Sequence, residues 1–155
     1  MTTRGQTPLI LVVDDDADTC ALVSTLLGRE GYRTRRALSG AEALAIVDQE
    51  PVTLVLLDVV MPQMDGFAVV EALRQHPTGR QIPIILLTGR NDLDTRQEGM
   101  QRGVSEFLTK PIDKHELYAR VRAQLHIVEL SQQLDRVERR LRADGRTPKD
   151  HSHSG

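Results

Sequence analysis

Short, continuous apolar runs alternate with longer stretches of helical periodicity, and the alternation repeats five times along the chain. Residues 9–13, 53–57 and 82–87 are apolar almost without interruption, the pattern of central parallel strands covered on both faces. Segments 32–36 and 104–108 are shorter and more polar, and each follows a glycine, Gly31 or Gly103, placed where a helix ends. They read as edge strands.

Between the strands, residues 18–29 carry Leu22, Val23, Leu26 and Leu27 on one side, and residues 39–49 open on an N-cap Ser39 with Glu42 three residues later. Further helices are predicted over 65–75, over about 92–102 and from Asp113 onward. Strand alternating with helix at this spacing predicts a parallel sheet with right-handed crossovers, a three-layer α/β domain of five βα units. The chain accordingly divides into a disordered N-terminus over 1–7, the domain over 8–125, a helical extension over 126–143 and a disordered tail over 144–155.

The last helix outruns the fold. Leu117, Val121 and Leu125 recur at four-residue spacing and can face the sheet, whereas Ile127, Leu130, Leu134, Val137 and Leu141 recur at 3, 4, 3, 4, a heptad seam. That seam predicts a coiled coil and a homodimer. Two other readings stay open: a solvated amphipathic helix, and a signalling helix leading to an effector domain in a longer regulator.

Composition narrows the function classes. With 155 residues, 39% of them hydrophobic and 27% charged, the chain can build one ordinary core. A formal charge of -2 and 3% aromatic residues give neither an electrostatic pull toward nucleic acid nor a base-stacking platform. No direct nucleic-acid binding is expected. Cys20 is the only cysteine, so an intramolecular disulfide and a cysteine-ligated metal cluster are both excluded. It reads as a packed helix residue, and His76, His115 and His126 as surface or helix-end residues, while His151 and His153 are weak metal candidates in the tail. No signal peptide is evident and no run approaches the roughly 18 apolar residues of a membrane span, which points to a cytoplasmic protein without membrane contact.

The candidate chemistry lies at the carboxyl ends of the predicted strands, where open parallel sheets place their reactive crevice. The first ends in Asp14-Asp15-Asp16, the third in Asp58, the fourth in Thr88 and the fifth in Thr109-Lys110-Pro111. Taken singly, each has a bland reading: an acidic pair caps the next helix, as Asp16 does here, Lys-Pro makes a turn, and a strand-ending Thr is a polar edge. Together they bring carboxylates, a hydroxyl and an ammonium to one crevice. Crowded carboxylates repel unless a cation neutralises them, and Mg²⁺ prefers such oxygen ligands while keeping positions for phosphate oxygens. A carboxylate can attack phosphorus, and Asp58, on the central strand, is the natural nucleophile, with Lys110 and Thr88 offsetting charge on the transferring group.

The runs Leu11-Val12-Val13-Asp14-Asp15-Asp16, Leu56-Leu57-Asp58 through Met64-Asp65-Gly66, Leu87-Thr88-Gly89 and Phe107-Leu108-Thr109-Lys110-Pro111 resemble the receiver domain of bacterial two-component response regulators, the CheY-like superfamily. The resemblance implies a flavodoxin-like sheet in order 2-1-3-4-5 and phosphorylation of Asp58 by a sensor histidine kinase, a phosphotransfer protein or a small phosphodonor. It implies Mg²⁺ held directly by Asp15, Asp58 and the backbone carbonyl of Val60, with Asp14 acting mainly through water. Thr88 and Phe107 match the family's switch pair, and Lys110 the lysine on a phosphoryl oxygen. Pro111 matches a proline whose preceding peptide bond can be cis. Such a domain is a phosphoacceptor and not a conventional enzyme, catalysing only its own phosphorylation and dephosphorylation.

Two departures stand out. Phe107 carries no phenolic hydroxyl where many relatives have Tyr. Val60 and Arg90 match positions that, in the family this chain resembles, tune phosphoryl lifetime, and Val60 cannot orient an attacking water through its side chain. A haloacid-dehalogenase-like phosphohydrolase also uses a strand-end Asp with Mg²⁺, but its pattern has a second Asp two residues on, where this chain has Val60. A binding module with a degenerate site is the other competing class.

Overall fold

A computed structural model describes residues 7–61, 65–89 and 93–145. Five strands, β1 Leu9–Val13, β2 Arg33–Ala37, β3 Leu54–Asp58, β4 Ile84–Thr88 and β5 Glu106–Thr109, alternate with helices α1 Ala17–Arg29, α2 Gly40–Gln49, α3 Gly66–Gln75, α4 Leu93–Gln101 and α5 Lys114–Ala143. The strands form one parallel sheet in the order β2-β1-β3-β4-β5. This is the flavodoxin-like arrangement expected.

The continuous apolar runs are continuous because the sheet has two cores, and successive residues point to opposite faces. Leu9, Leu11, Val13, Val55, Leu57, Ile84, Leu86 and Phe107 pack on the side of α2 and α3. Ile10, Val12, Leu54, Leu56, Ile85, Leu87 and Leu108 pack on the opposite side, against Cys20, Val23 and Leu27 of α1 and Leu117 and Val121 of α5. The outer strands are β2, of which only Ala37 is buried, and β5.

Helix starts follow local chemistry. Asp16, Ser39, Asp65 and Asp113 each cap a helix by accepting a backbone N–H through the side chain. Gly31 and Gly103 end their helices at φ 90° and 91°, a left-handed conformation that favours glycine.

Some boundaries differ from those predicted. β2 begins at Arg33 and not Tyr32, and β4 begins after Pro83, which has no N–H to donate and serves the sheet only through its carbonyl, 3.1 Å from the Val55 amide. β5 begins at Glu106, because the Val104 amide is engaged by the carbonyl of Gly99 at the end of α4. On α1, Leu22 is 53% exposed, contrary to its placement on the apolar side. The buried stripe runs through Cys20, Val23, Ser24 and Leu27, at the three- and four-residue steps of a helix. Buried Gln124 on α5 was likewise not anticipated.

Helix α5 runs unbroken from Lys114 to Ala143, across the predicted division at 125/126. Asp144 caps it and Gly145 has φ 80°. Residues 146–155 of the expected tail, with His151 and His153, and residues 1–6 of the expected N-terminal segment lie outside the described residues, as does Arg90.

Candidate functional site

Parallel pairing brings the ends of β1, β3, β4 and β5 to one edge of the sheet, because Val13 is in register with Leu57, Asp58 with Leu87 and Thr88 with Thr109. The polar residues that end these strands therefore meet. One carboxylate oxygen from each of Asp14, Asp15 and Asp58 lies within 4.8 Å of the others. Asp14 is 0% exposed and Asp58 6%, while Asp15 faces solvent.

Lys110 joins the two buried carboxylates, its Nζ donating to Asp14 Oδ2 at 2.9 Å and lying 3.4 Å from Asp58 Oδ2. Its backbone N–H donates to the Thr88 carbonyl at 2.6 Å, and the Lys110–Pro111 peptide bond is cis. The other oxygens are partly engaged too: Asp14 Oδ1 accepts from the Asp16 amide at 3.0 Å and Asp58 Oδ1 from the Val60 amide at 3.3 Å. Thr88 is buried at the same edge, and the Val60 side chain is 73% exposed.

Burial, and then the charge of Asp14, push the Asp58 carboxyl up to about 6, against the opposing pull of Lys110. Burial disfavours the Lys110 ammonium as well, but its bond to Asp14 and the charge of Asp58 outweigh this and hold its pKa above the ordinary lysine value. The crevice thus holds buried negative charge that one ammonium offsets only partly. An all-oxygen donor set with surplus negative charge is what a hard divalent cation requires, so these residues fit Mg²⁺.

The sheet edge brings the carboxylates of Asp14, Asp15 and Asp58 together with Lys110, with Thr88 buried at the same edge, whereas Val60, expected to contribute its backbone carbonyl, turns its side chain outward. Phe107 is 6% exposed, its ring packed inward against α4. Cys20 is the packed helix residue expected from the sequence, whereas Arg96 had escaped the sequence reading. Cys20 Sγ lies 3.3 Å from the Asp14 carbonyl, and burial raises this thiol to about 11, so it backs the site as a packed residue and not as a nucleophile. Arg96 of α4 stands over the Phe107 ring, its guanidinium carbon 5.2 Å from the ring centroid. Gly66, the first residue of α3, has no space for a side chain: a Cβ there would lie 2.6 Å from the Asp58 carbonyl oxygen and 2.7 Å from Val59 Cα.

Among the described residues, no helix is long and apolar enough to cross a membrane. The sequence matches the family described as Response regulator receiver domain over residues 10–122. It is 44% identical over 114 residues to the response regulator PleD of Caulobacter vibrioides, a match covering 74% of this chain and 25% of PleD. It is 37% identical to the transcriptional regulator RpaA of a Synechocystis species, covering 76% of this chain and 49% of RpaA. The chain therefore spans a quarter to a half of the length of these relatives. Among solved structures, the Vibrio cholerae chemotaxis protein CheY4 is similar at TM-score 0.73 and 32% identity, over 76% of this chain and 98% of CheY4. The receiver domain of the sensor histidine kinase PA1611 from Pseudomonas aeruginosa, solved with a magnesium ion coordinated in its active site cleft, is similar at TM-score 0.72 and 26% identity, over 77% and 98% of the two chains. The chain belongs to the response regulator receiver domain family, CheY-like phosphoacceptor signalling modules and not conventional enzymes.

Proposed function

We propose that Asp58 accepts a phosphoryl group from a sensor histidine kinase or phosphotransfer protein of a two-component system, in a Mg²⁺-dependent reaction in the cytoplasm. The observation that carries this reading is the convergence of Asp14, Asp15 and Asp58 within 4.8 Å, with Lys110 between the two buried carboxylates. Asp15, Asp58 and the Val60 carbonyl would hold the ion, with Asp14 acting mainly from behind them. Mg²⁺, when bound, supplies the positive charge that lets a carboxylate and a phosphoryl group approach each other.

An Asp58 oxygen attacks phosphorus, the new O–P bond forms as the P–N bond of the donor phosphohistidine breaks, and the imidazole leaves. Lys110 stays at hydrogen-bond distance to the crevice and takes a phosphoryl oxygen, and the Thr88 hydroxyl donates to another. Phe107 completes the switch with its ring inward and without a phenolic hydroxyl. The Val60 side chain offers no polar group to orient a water for hydrolysis of the aspartyl phosphate.

Output passes to the far half of α5. Ile127, Leu130, Leu134 and Val137 are each 50% or more exposed along the heptad seam, which favours a second copy of this chain as partner in a coiled coil. A second reading, in which the helix connects to an effector domain in a longer chain, is favoured by the lengths of PleD and RpaA, matched over only 25% and 49%.

Beryllofluoride with Mg²⁺ tests the site, since it mimics an aspartyl phosphate. The expected result is a perturbation of the amide resonances around Asp58 and Thr88 that requires both components. Silence at those amides supports a degenerate binding module instead, and sustained turnover of added phosphomonoesters supports a phosphohydrolase.

A further inference from the structure

Helix α4 is anchored differently from its neighbours. Among the described residues it buries only Gly99, whereas α1 buries Cys20, Val23, Ser24, Leu26 and Leu27, and α3 buries Gly66, Val69, Val70 and Leu73. The missing side chain at Gly99 lets the helix lie directly on the switch region: a Cβ there would sit 3.0 Å from Phe107 Cε1 and 3.0 Å from Val104 Cγ2. One helical turn earlier, Arg96 places its guanidinium over the Phe107 ring at 5.2 Å and donates from Nη2 to Thr109 Oγ1 at 3.3 Å. Its Nε is buried without an acceptor.

A guanidinium N–H buried without an acceptor is unfavourable, so the position must be held by the other two contacts, the ring face and the Thr109 hydroxyl. Thr109 directly precedes Lys110, which spans Asp14 and Asp58. One side chain of α4 therefore grips both the inward aromatic ring and the strand residue next to the site lysine. Were the ring to turn outward, Arg96 would lose its face and Gly99 one of its two nearest neighbours together. Docking of α4 and inward orientation of Phe107 are then one equilibrium.

We propose that Arg96 is a positioning residue that couples α4 to Phe107 and so sets how tightly the Asp58 site holds a phosphoryl group, an inference that rests on Asp58 being the acceptor. Coupling between binding equilibria is reciprocal. A phosphoryl mimic that favours the inward ring tightens α4, and a weakened α4 contact lowers affinity for the mimic. The competing explanation is that Arg96 acts as a remote cation attracting the anion, without involving the ring.

A double-mutant cycle separates the two. Beryllofluoride affinity in saturating Mg²⁺ is measured from the Asp58 and Thr88 amide shifts for the wild type, Arg96→Met, Phe107→Leu and the double variant. Methionine keeps the apolar stem and leucine keeps an apolar group in the core, and thermal unfolding verifies that each variant is folded. Arg96→Met should weaken binding about three- to tenfold in the wild-type background, with Arg96→Lys recovering part of the loss by restoring a cation over the ring. In the Phe107→Leu background, the same change should alter affinity by less than about twofold. An equal loss in both backgrounds, or no loss in the wild-type background, overturns the proposal. Absence of binding by the wild type would instead refute Asp58 as the acceptor, so the two failures are distinguishable.

Discussion

Asp14 and Asp58, at the carboxyl edge of the sheet, are charged yet 0% and 6% exposed, whereas Ile127, Leu130, Leu134 and Val137, on the far half of α5, are apolar yet 50% or more exposed. Each region inverts the usual partition of polar and apolar groups, and each inversion is unfavourable in isolation. At the sheet edge the cost is offset inside the chain, by Lys110 and the Asp16 and Val60 amides, and the remaining negative charge calls for a cation. Along α5 nothing within the described residues covers the stripe. The first region is a charged crevice balanced largely within the chain, and the second is an apolar stripe left open by the described residues.

The contrast can be broken most severely at Lys110. Lys110→Ala leaves Asp14 and Asp58 without their shared ammonium and removes a donor to the transferring group, so phosphorylation by acetyl phosphate should slow by about 100-fold or more. A rate within a few-fold of wild type, followed by intact-mass kinetics, would place the stabilising charge elsewhere.

The electrostatic strain at the edge should also be visible as stability. The folded-state pKa of Asp58 is raised to about 6, above the ordinary 3.8, so the fold favours its protonated form. This contribution is present below about pH 4 and is lost as pH rises through about 6. Metal-free wild type should therefore lose about 2–3 kcal/mol relative to Asp58→Asn between pH 4 and pH 7. Urea titrations at several pH values measure the difference, and parallel curves for the two proteins would show that Asp58 is not strained. Gly66→Ala probes the packing of the same edge, where the new Cβ meets the backbone of Asp58 and Val59. A loss of about 1–3 kcal/mol is expected, and an unchanged urea midpoint would mean that the loop yields freely.

On α5 the expected effect on the domain is smallest. Leu134→Ser with Leu141→Ser should convert a dimer to a monomer by light scattering while leaving domain stability within about 0.5 kcal/mol. An unchanged mass, whether dimeric or monomeric in both proteins, contradicts the coiled-coil reading.

How much of this was legible in the sequence depended on whether a feature is local. Strand ends were readable because an apolar run fixes where a strand stops, and once parallel order is accepted Asp14, Asp58, Thr88 and Lys110 must converge. Caps at Asp16 and Ser39 were readable for the same reason. Leu22 was misplaced because hydrophobicity was weighed above helical phase, which assigns the inner face to Cys20 and Ser24. Arg96 over Phe107 was out of reach, since it depends on how closely Gly99 lets α4 approach the sheet. The close fit of Gly66 against β3 was equally hidden, although the glycine itself was noted as part of a motif.

Whether Asp58 is the phosphoacceptor is decided by intact-mass spectrometry after incubation with acetyl phosphate. One phosphoryl group should be added in the presence of Mg²⁺, none when the metal is chelated, and none in Asp58→Asn. Undiminished, Mg²⁺-independent modification of Asp58→Asn would contradict that role for Asp58.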